Sequence, residues 1–347
     1  MSALMSSSQI ELRIEPRAQQ TVALQADDGH VLKLSELTKR GIRKDNSIDN
    51  LLHNRLKPRG FTLNLCGHCN YNCTYCPTSL QKLPIERISD AILDQVFTEY
   101  GNTPLYVQMG SRGEALLHPK FFDIIRFIHT KCADTYICLN TNGYLLNDKI
   151  IGGLVESGID QVTVSLQTVN EELYEKLEDS KHFSKVIERI ANLAKSIREN
   201  KVQMQLVAQY MDIAENKSHQ TQFREFCNAN GITMQIIQLH EWGDKFESRL
   251  IDRTNRYPCP YLWLYPTISH SGNLVPCAID FFDEMPYGSL KSNTVAELWN
   301  GSGAEKIRGI HLAAKWDEIP MCHNCTQWSK IPSLFARQDD GTFQLIA

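Results

Sequence analysis

Four cysteines within eleven residues, Cys66, Cys69, Cys73 and Cys76, constrain this chain more than any other feature. Thiols packed so densely on one segment either pair as disulfides or hold metal. The chain carries eleven cysteines, an odd number, and its first residues, MSALMSSSQIELRIEP, lack a basic segment followed by an apolar one. That pattern argues against a secreted disulfide framework and for metal in a reducing, cytoplasmic compartment. A second group, Cys259, Cys277, Cys322 and Cys325, ends in another C-x2-C. Cys132, Cys138 and Cys227 fall in predicted helices and strands and read as buried apolar residues. The eleven histidines show no repeated ligand spacing. His68, Trp242 and Trp263 could line a pocket, but each alone reads as packing.

Composition narrows the partners. With 36 basic and 40 acidic side chains the net charge is −4, which suggests neither a nucleic-acid binder nor a polybasic membrane binder. No apolar run approaches the roughly 18–20 residues that span a bilayer. At 347 residues and 42% hydrophobic, the chain has material for two domains, or for one large barrel with an appendage.

The periodicity supplies the architecture. Near the start, Ile10, Leu12 and Ile14 alternate with polar residues. Val22–Leu24 and Val31–Leu34 flank the turn dipeptide Asp28-Gly29, so residues 1–59 read as a β-containing extension with a basic linker. Apolar runs then predict strands at Phe61–Leu65, Leu105–Met109, Tyr136–Leu139, 162–166, Met204–Tyr210 and Met234–Leu239. Between them lie helical patterns: Ile92, Leu93, Val96 and Phe97 after Ser89; Phe122, Ile125 and Ile128 after Pro119; Asp148–Ser157; Val186, Ile190, Leu193 and Ile197; and Phe223–Ala229. Six strands alternating with helices over 60–245 predict an α/β fold, a partial (β/α)6 TIM-like barrel, with ligands at the C-terminal strand ends. A break near 245–257 opens a last domain, 246–347. There, Leu262–Ile268 and Leu274–Cys277 predict a hairpin about Ser271-Gly272-Asn273, and Thr294 with Glu297 forms a capping box.

The segment Cys69-Asn-Tyr-Asn-Cys73-Thr-Tyr-Cys76-Pro77 resembles the cluster loop of the radical S-adenosylmethionine (SAM) superfamily. The resemblance implies that Cys69, Cys73 and Cys76 hold three irons of a [4Fe–4S] cluster. The fourth iron would chelate SAM, whose reductive cleavage yields a 5′-deoxyadenosyl radical. On these residues alone a zinc knuckle also fits. Three later segments are similar to the family's, each at a predicted strand end. Gly110-Ser-Arg-Gly113-Glu114 is similar to the Gly-Gly-Glu-Pro segment that binds the methionine ammonium, but has Arg112 for Gly and Ala115 for Pro. Asn140-Thr-Asn-Gly follows the third strand. Ser165-Leu-Gln167 is similar to the Ser-Leu-Asp segment, with Ser165 as a cofactor contact. Tyr75 matches the position that usually lies against the adenine. Cys66 reads as a free thiol at the strand end.

The region from Cys259 onward resembles the SPASM/twitch extension, in Leu262-Trp263, Gly288-Ser-Leu290 and Glu297-Leu-Trp-Asn300. This implies one auxiliary [4Fe–4S] cluster held by Cys259, Cys277, Cys322 and Cys325, with Asp280 as a candidate general base. Four such cysteines also suit tetrahedral zinc, so a zinc-stabilised module without catalysis stays open. As an enzyme, the chain would take its electron from a flavodoxin- or ferredoxin-type donor. It would then abstract hydrogen from a natural-product-type substrate. Only about 60 residues precede the barrel, with room after the hairpin for one or two short helices. A complete peptide-leader-binding domain is therefore not expected. That favours a small molecule, a sugar or aminocyclitol alcohol oxidised to a ketone, over epimerisation, cross-linking or thioether formation on a ribosomal peptide.

Overall fold

The computed structural model describes residues 23–25, 31–33, 57–58, 60–101, 103, 105–243, 245–246, 256–264, 266–330 and 335–345. The expected alternation at Ile10–Ile14 and the linker helices lie outside the described residues. The small β-element is present: β1 (Ala23–Gln25) pairs antiparallel with β2 (Val31–Lys33).

Six strands follow in chain order: β3 (Gly60–Leu63), β4 (Tyr106–Met109), β5 (Tyr136–Thr141), β6 (Gln161–Gln167), β7 (Gln205–Met211) and β8 (Thr233–Ile237). Each is hydrogen-bonded parallel to the next, the arrangement that crossover helices impose. β9 (Thr267–Ile268) joins the free edge of β3 in parallel, and β10 (Asn273–Val275) and β11 (Gly288–Ser289) extend that edge antiparallel. The result is one nine-stranded sheet in the order 11-10-9-3-4-5-6-7-8. β12 (Phe335–Arg337) and β13 (Phe343–Leu345) form a separate pair.

The outer face of the parallel strands packs on the helices. Ser89 Oγ accepts the Ile92 N–H at 3.3 Å and starts the Asp90–Tyr100 helix, whose buried Phe97 packs against Phe61. Truncating Phe61 to Ala there would cost about 3–5 kcal/mol. The inner face is polar. Thr62 lies in register with Gln108, and Gln108 with Cys138; Thr163 and Gln209 continue the same face, all buried.

Two expectations need correction. Residues 261–264, read as the first arm of the hairpin, form a helical turn, Tyr261–Leu264, and only Thr267–Ile268 is strand. A short apolar run has no period that separates strand from helix, and here Pro260 precedes the first helical residue. The sequence reading also passed over a helix, Glu171–Glu178, which Asn170 caps by accepting the Leu173 N–H at 2.8 Å.

Candidate active site

The loop after β3 carries the first cysteines. Cys66 is fully buried, bridged to Arg87, and burial pushes its thiol up to about 11. It does not line the cavity that Cys69, Cys73 and Cys76 share at the C-terminal strand ends. Cys69 Sγ receives the Tyr71 N–H at 3.5 Å and the Asn142 amide at 3.8 Å. Cys73 Sγ donates to Glu178 Oε2 at 2.8 Å. Burial, more than any neighbour, raises all three thiols, Cys69 to about 12. Such thiols keep their protons until a metal displaces them. Three of them on one loop, facing one cavity and with N–H donors turned onto sulfur, fit a cluster with one iron left open.

Tyr75, Gly113, Glu114, Asn140 and Ser165 all line the same cavity. Gly113 has φ of 62°, and a Cβ there would lie 2.5 Å from the His68 carbonyl and 2.6 Å from that of Cys66. Glycine thus lets the loop after β4 rest directly on the cluster loop. Glu114 is buried, and burial raises its acid to about 7. Its Oε1 accepts the Leu116 N–H at 3.1 Å, and its Oε2 accepts the Thr141 hydroxyl at 3.1 Å and the Asn142 N–H at 2.9 Å. The carboxylate therefore ties the β4 loop to the end of β5. Ser165 Oγ donates to Gln209 Oε1 at 3.2 Å. Tyr75 donates its phenol to Glu178 Oε1 at 2.6 Å, and its carbonyl accepts the Trp242 indole at 3.1 Å.

Cys259, Cys277, Cys322 and Cys325 line this cavity too, so both cysteine groups face one space. Burial raises all four thiols, and each is raised further by the others of the group or by nearby carboxylates. Asp280 is a correction. It is fully buried and is not among the residues lining the cavity. Its Oδ1 accepts the Glu284 N–H at 2.7 Å and its Oδ2 the Met285 N–H at 2.9 Å. Its acid is raised by burial against those two donors. The side chain closes the turn after Cys277 rather than facing the cavity as a base. Arg112 reaches this turn from the β4 loop, pairing with Asp283 and donating to the Asp280 carbonyl, with its guanidinium 1% exposed. Trp242 lines the cavity, Trp263 packs against Phe335, and His68 lies outside the lining.

Among the residues that the fold brings to the cavity and that sequence reasoning missed are Glu178, Gln209, Arg256 and His311. Glu178 is 105 positions from Cys73, on the unread helix, and no local spacing connects them. Gln209 was legible only as an inward position of β7.

An α/β partial barrel that turns two groups of cysteines into one cavity defines a class of iron–sulfur enzymes. The chain belongs to the radical SAM superfamily: residues 63–210 match that superfamily, and residues 259–326 match SPASM, an iron–sulfur cluster-binding domain. It is therefore an enzyme, and iron–sulfur and SAM binding come with these domains; the zinc-module reading falls away. A GTP 3′,8-cyclase of Chlorobaculum tepidum is 28% identical over 204 residues, 54% of each chain, so the chain spans about half the length of that relative. Among solved structures, BtrN in complex with AdoMet and 2-DOIA aligns with a TM-score of 0.53 at 16% identity, over 77% of this chain and 92% of that one. Streptococcus suis SuiB bound to its precursor peptide SuiA aligns with a TM-score of 0.58 at 12% identity, over 84% and 75%. At such identities the likeness is one of fold. Among the described residues, no helix is long and apolar enough to cross a membrane.

Proposed function

We propose that the chain is a radical SAM enzyme that removes a hydrogen atom, and then an electron together with the hydroxyl proton, which passes to solvent, from a small polyhydroxylated substrate. A sugar or aminocyclitol alcohol would become a ketone. The observation that carries this is the single cavity lined by Cys69, Cys73 and Cys76 on one side and Cys259, Cys277, Cys322 and Cys325 on the other. Cys69, Cys73 and Cys76 would hold the cluster that binds SAM, and the other four an auxiliary [4Fe–4S] cluster. When bound, these groups supply an organic radical and a one-electron acceptor.

The chain's own residues then position the substrate. Tyr75, held by Glu178, would lie against the adenine, and Gly113, Asn140 and Ser165 would contact the cofactor. Glu114 acts by fixing the β4 loop on the end of β5. Thr62, Gln108 and Gln209 offer hydroxyl and amide groups to the cavity, neutral partners suited to hydroxyls. Among the described residues neither Gln108 Nε2 nor Gln108 Oε1 has a protein partner, although the residue is 1% exposed, and a polar ligand would satisfy both. The lining contains a single arginine, Arg256, and no lysine among the described residues, which disfavours a triphosphate substrate such as GTP. The BtrN complex gives a small-molecule precedent on this fold. The SuiB–SuiA complex gives a peptide precedent and keeps ribosomal-peptide modification as the second reading. A flavodoxin- or ferredoxin-type donor would supply the initiating electron.

The test is isotopic. Candidate sugars and aminocyclitols deuterated at the reacting carbon should pass deuterium into 5′-deoxyadenosine. Transfer from a peptide α-carbon or side chain, with none from any sugar, would overturn the substrate assignment and leave the radical step standing.

A further inference from the structure

Two buried side chains around the second cysteine group carry nitrogen donors that have no protein partner among the described residues. Arg256 is 2% exposed and lines the cavity. Its Nη1 donates to the His323 carbonyl at 2.8 Å and its Nη2 to the Cys322 carbonyl, while its Nε has no partner. It pairs with the carboxylate of Asp317, at 3.9 Å and largely exposed. A guanidinium taken out of water needs an anion close by. The sulfurs of Cys259, Cys322 and Cys325, like Asp317, lie close enough to act on its charge, and those sulfurs would be anionic once they hold metal. Its face stacks on Trp316, with the guanidinium carbon 4.8 Å from the ring centroid, which fixes the orientation.

His311 is fully buried and lines the same cavity. Its Nδ1 accepts the Cys259 N–H at 3.2 Å. A backbone N–H can only donate, so Nδ1 carries no proton and the ring proton sits on Nε2. That Nε2 has no partner. One fixed cation and one fixed neutral N–H donor, both buried, thus line the cavity together with the cysteine group.

We infer that Arg256 and His311 form an electropositive cradle that raises the reduction potential of the auxiliary cluster, making it the electron acceptor of the reaction. The inference rests on the auxiliary-cluster reading proposed above. Four thiolates leave an oxidised cubane a net dianion, and one added electron makes it a trianion. A buried cation and N–H donors to sulfur favour the reduced form. The electron comes from the substrate radical in turnover and from dithionite in the experiment below. Neither side chain needs to touch substrate, so both are positioning and tuning residues.

The experiment uses the full chain with Cys69, Cys73 and Cys76 replaced by Ala, reconstituted anaerobically, so that only the auxiliary cluster remains. Its potential is followed by electron paramagnetic resonance during dithionite titration. Arg256→Gln should lower the potential by about 59 mV, a tenfold weaker reduction for one electron. Arg256→Lys should recover part of the shift, and His311→Phe should lower the potential less than Arg256→Gln. An unchanged potential in Arg256→Gln at full iron content overturns the inference. Should either variant fail to assemble the cluster, the parent protein labelled with 15N-arginine and 15N-histidine decides. Nitrogen couplings from both residues to the reduced cluster support the cradle, and their absence overturns it. A parent protein holding no iron would instead sink the auxiliary-cluster reading, a result distinguishable at the first metal analysis.

Discussion

The Tyr75 phenol donates to Glu178 at 2.6 Å, and Glu178 receives the Cys73 thiol on its other oxygen at 2.8 Å. One buried carboxyl thereby holds both the residue proposed to face the adenine and a proposed cluster ligand. Glu178→Ala leaves the phenol without its acceptor, at a cost of about 1–3 kcal/mol. We expect SAM to bind about tenfold more weakly, in line with that cost. Glu178→Gln keeps an acceptor for Tyr75 and should bind SAM nearly as the parent does. Equilibrium binding of SAM, alongside iron analysis, checks this; equal affinity in Glu178→Ala would show that Tyr75 is oriented by other contacts.

Three sets of cysteines should respond differently to replacement. Reconstituted protein should hold about eight irons and eight sulfides, two cubanes. Replacing Cys69, Cys73 and Cys76 with Ala should remove half the iron and all 5′-deoxyadenosine formation. Replacing Cys259, Cys277, Cys322 and Cys325 should remove the other half, keep SAM cleavage and abolish the oxidised product. Cys66, outside the cavity, should be replaceable with both clusters intact. Iron and sulfide assays with product chromatography distinguish these outcomes, and zinc in the second site would end its role as electron acceptor.

Much of this arrangement was legible in the chain. Parallel strands are buried on the helix side, so Phe61, Val107, Ile137 and Val162 announce themselves as apolar, and Ser89 marks a helix start. The cysteine spacing places Cys69, Cys73 and Cys76 on one loop. What stayed hidden depends on side-chain direction and distant pairing. Asp280 is three residues from Cys277, yet its carboxylate turns back onto the Glu284 and Met285 amides. Glu178 reaches the cluster loop from a helix with few apolar positions to reveal it. Arg112, which departs from the family pattern, occupies the place of a glycine and spans to Asp283, a pairing across 171 positions that no local pattern encodes.

Glu114 should make stability depend on pH. Its folded acid is raised from 4.5 to about 7 by burial, so the folded state binds the proton more tightly than the unfolded one. The stability it contributes is fully present below pH 4.5, declines as pH rises and is gone above about pH 7. At about 1.4 kcal/mol per pH unit, the loss between pH 5.5 and 7.5 should be about 2 kcal/mol for this group. Glu114→Gln should flatten that part of the profile. Urea midpoints of the anaerobic protein at both pH values check it; the same slope in the variant would assign the dependence to another buried acid.

Asp280 should behave as a residue of the fold. Asp280→Ala removes the acceptor of the part-buried Glu284 and Met285 N–H groups, about 0.5–1.5 kcal/mol for each. The turn they close begins at Cys277, whose carbonyl accepts the Asp280 N–H at 3.3 Å. The variant should therefore melt at lower temperature and lose auxiliary-cluster iron together, while the radical cluster keeps its own. Asp280→Asn retains one acceptor and should fall between the two. A catalytic base would leave a different signature: normal melting, full iron, unaltered deuterium transfer into 5′-deoxyadenosine and no ketone. Calorimetry and metal analysis separate the two cases before any product is assayed.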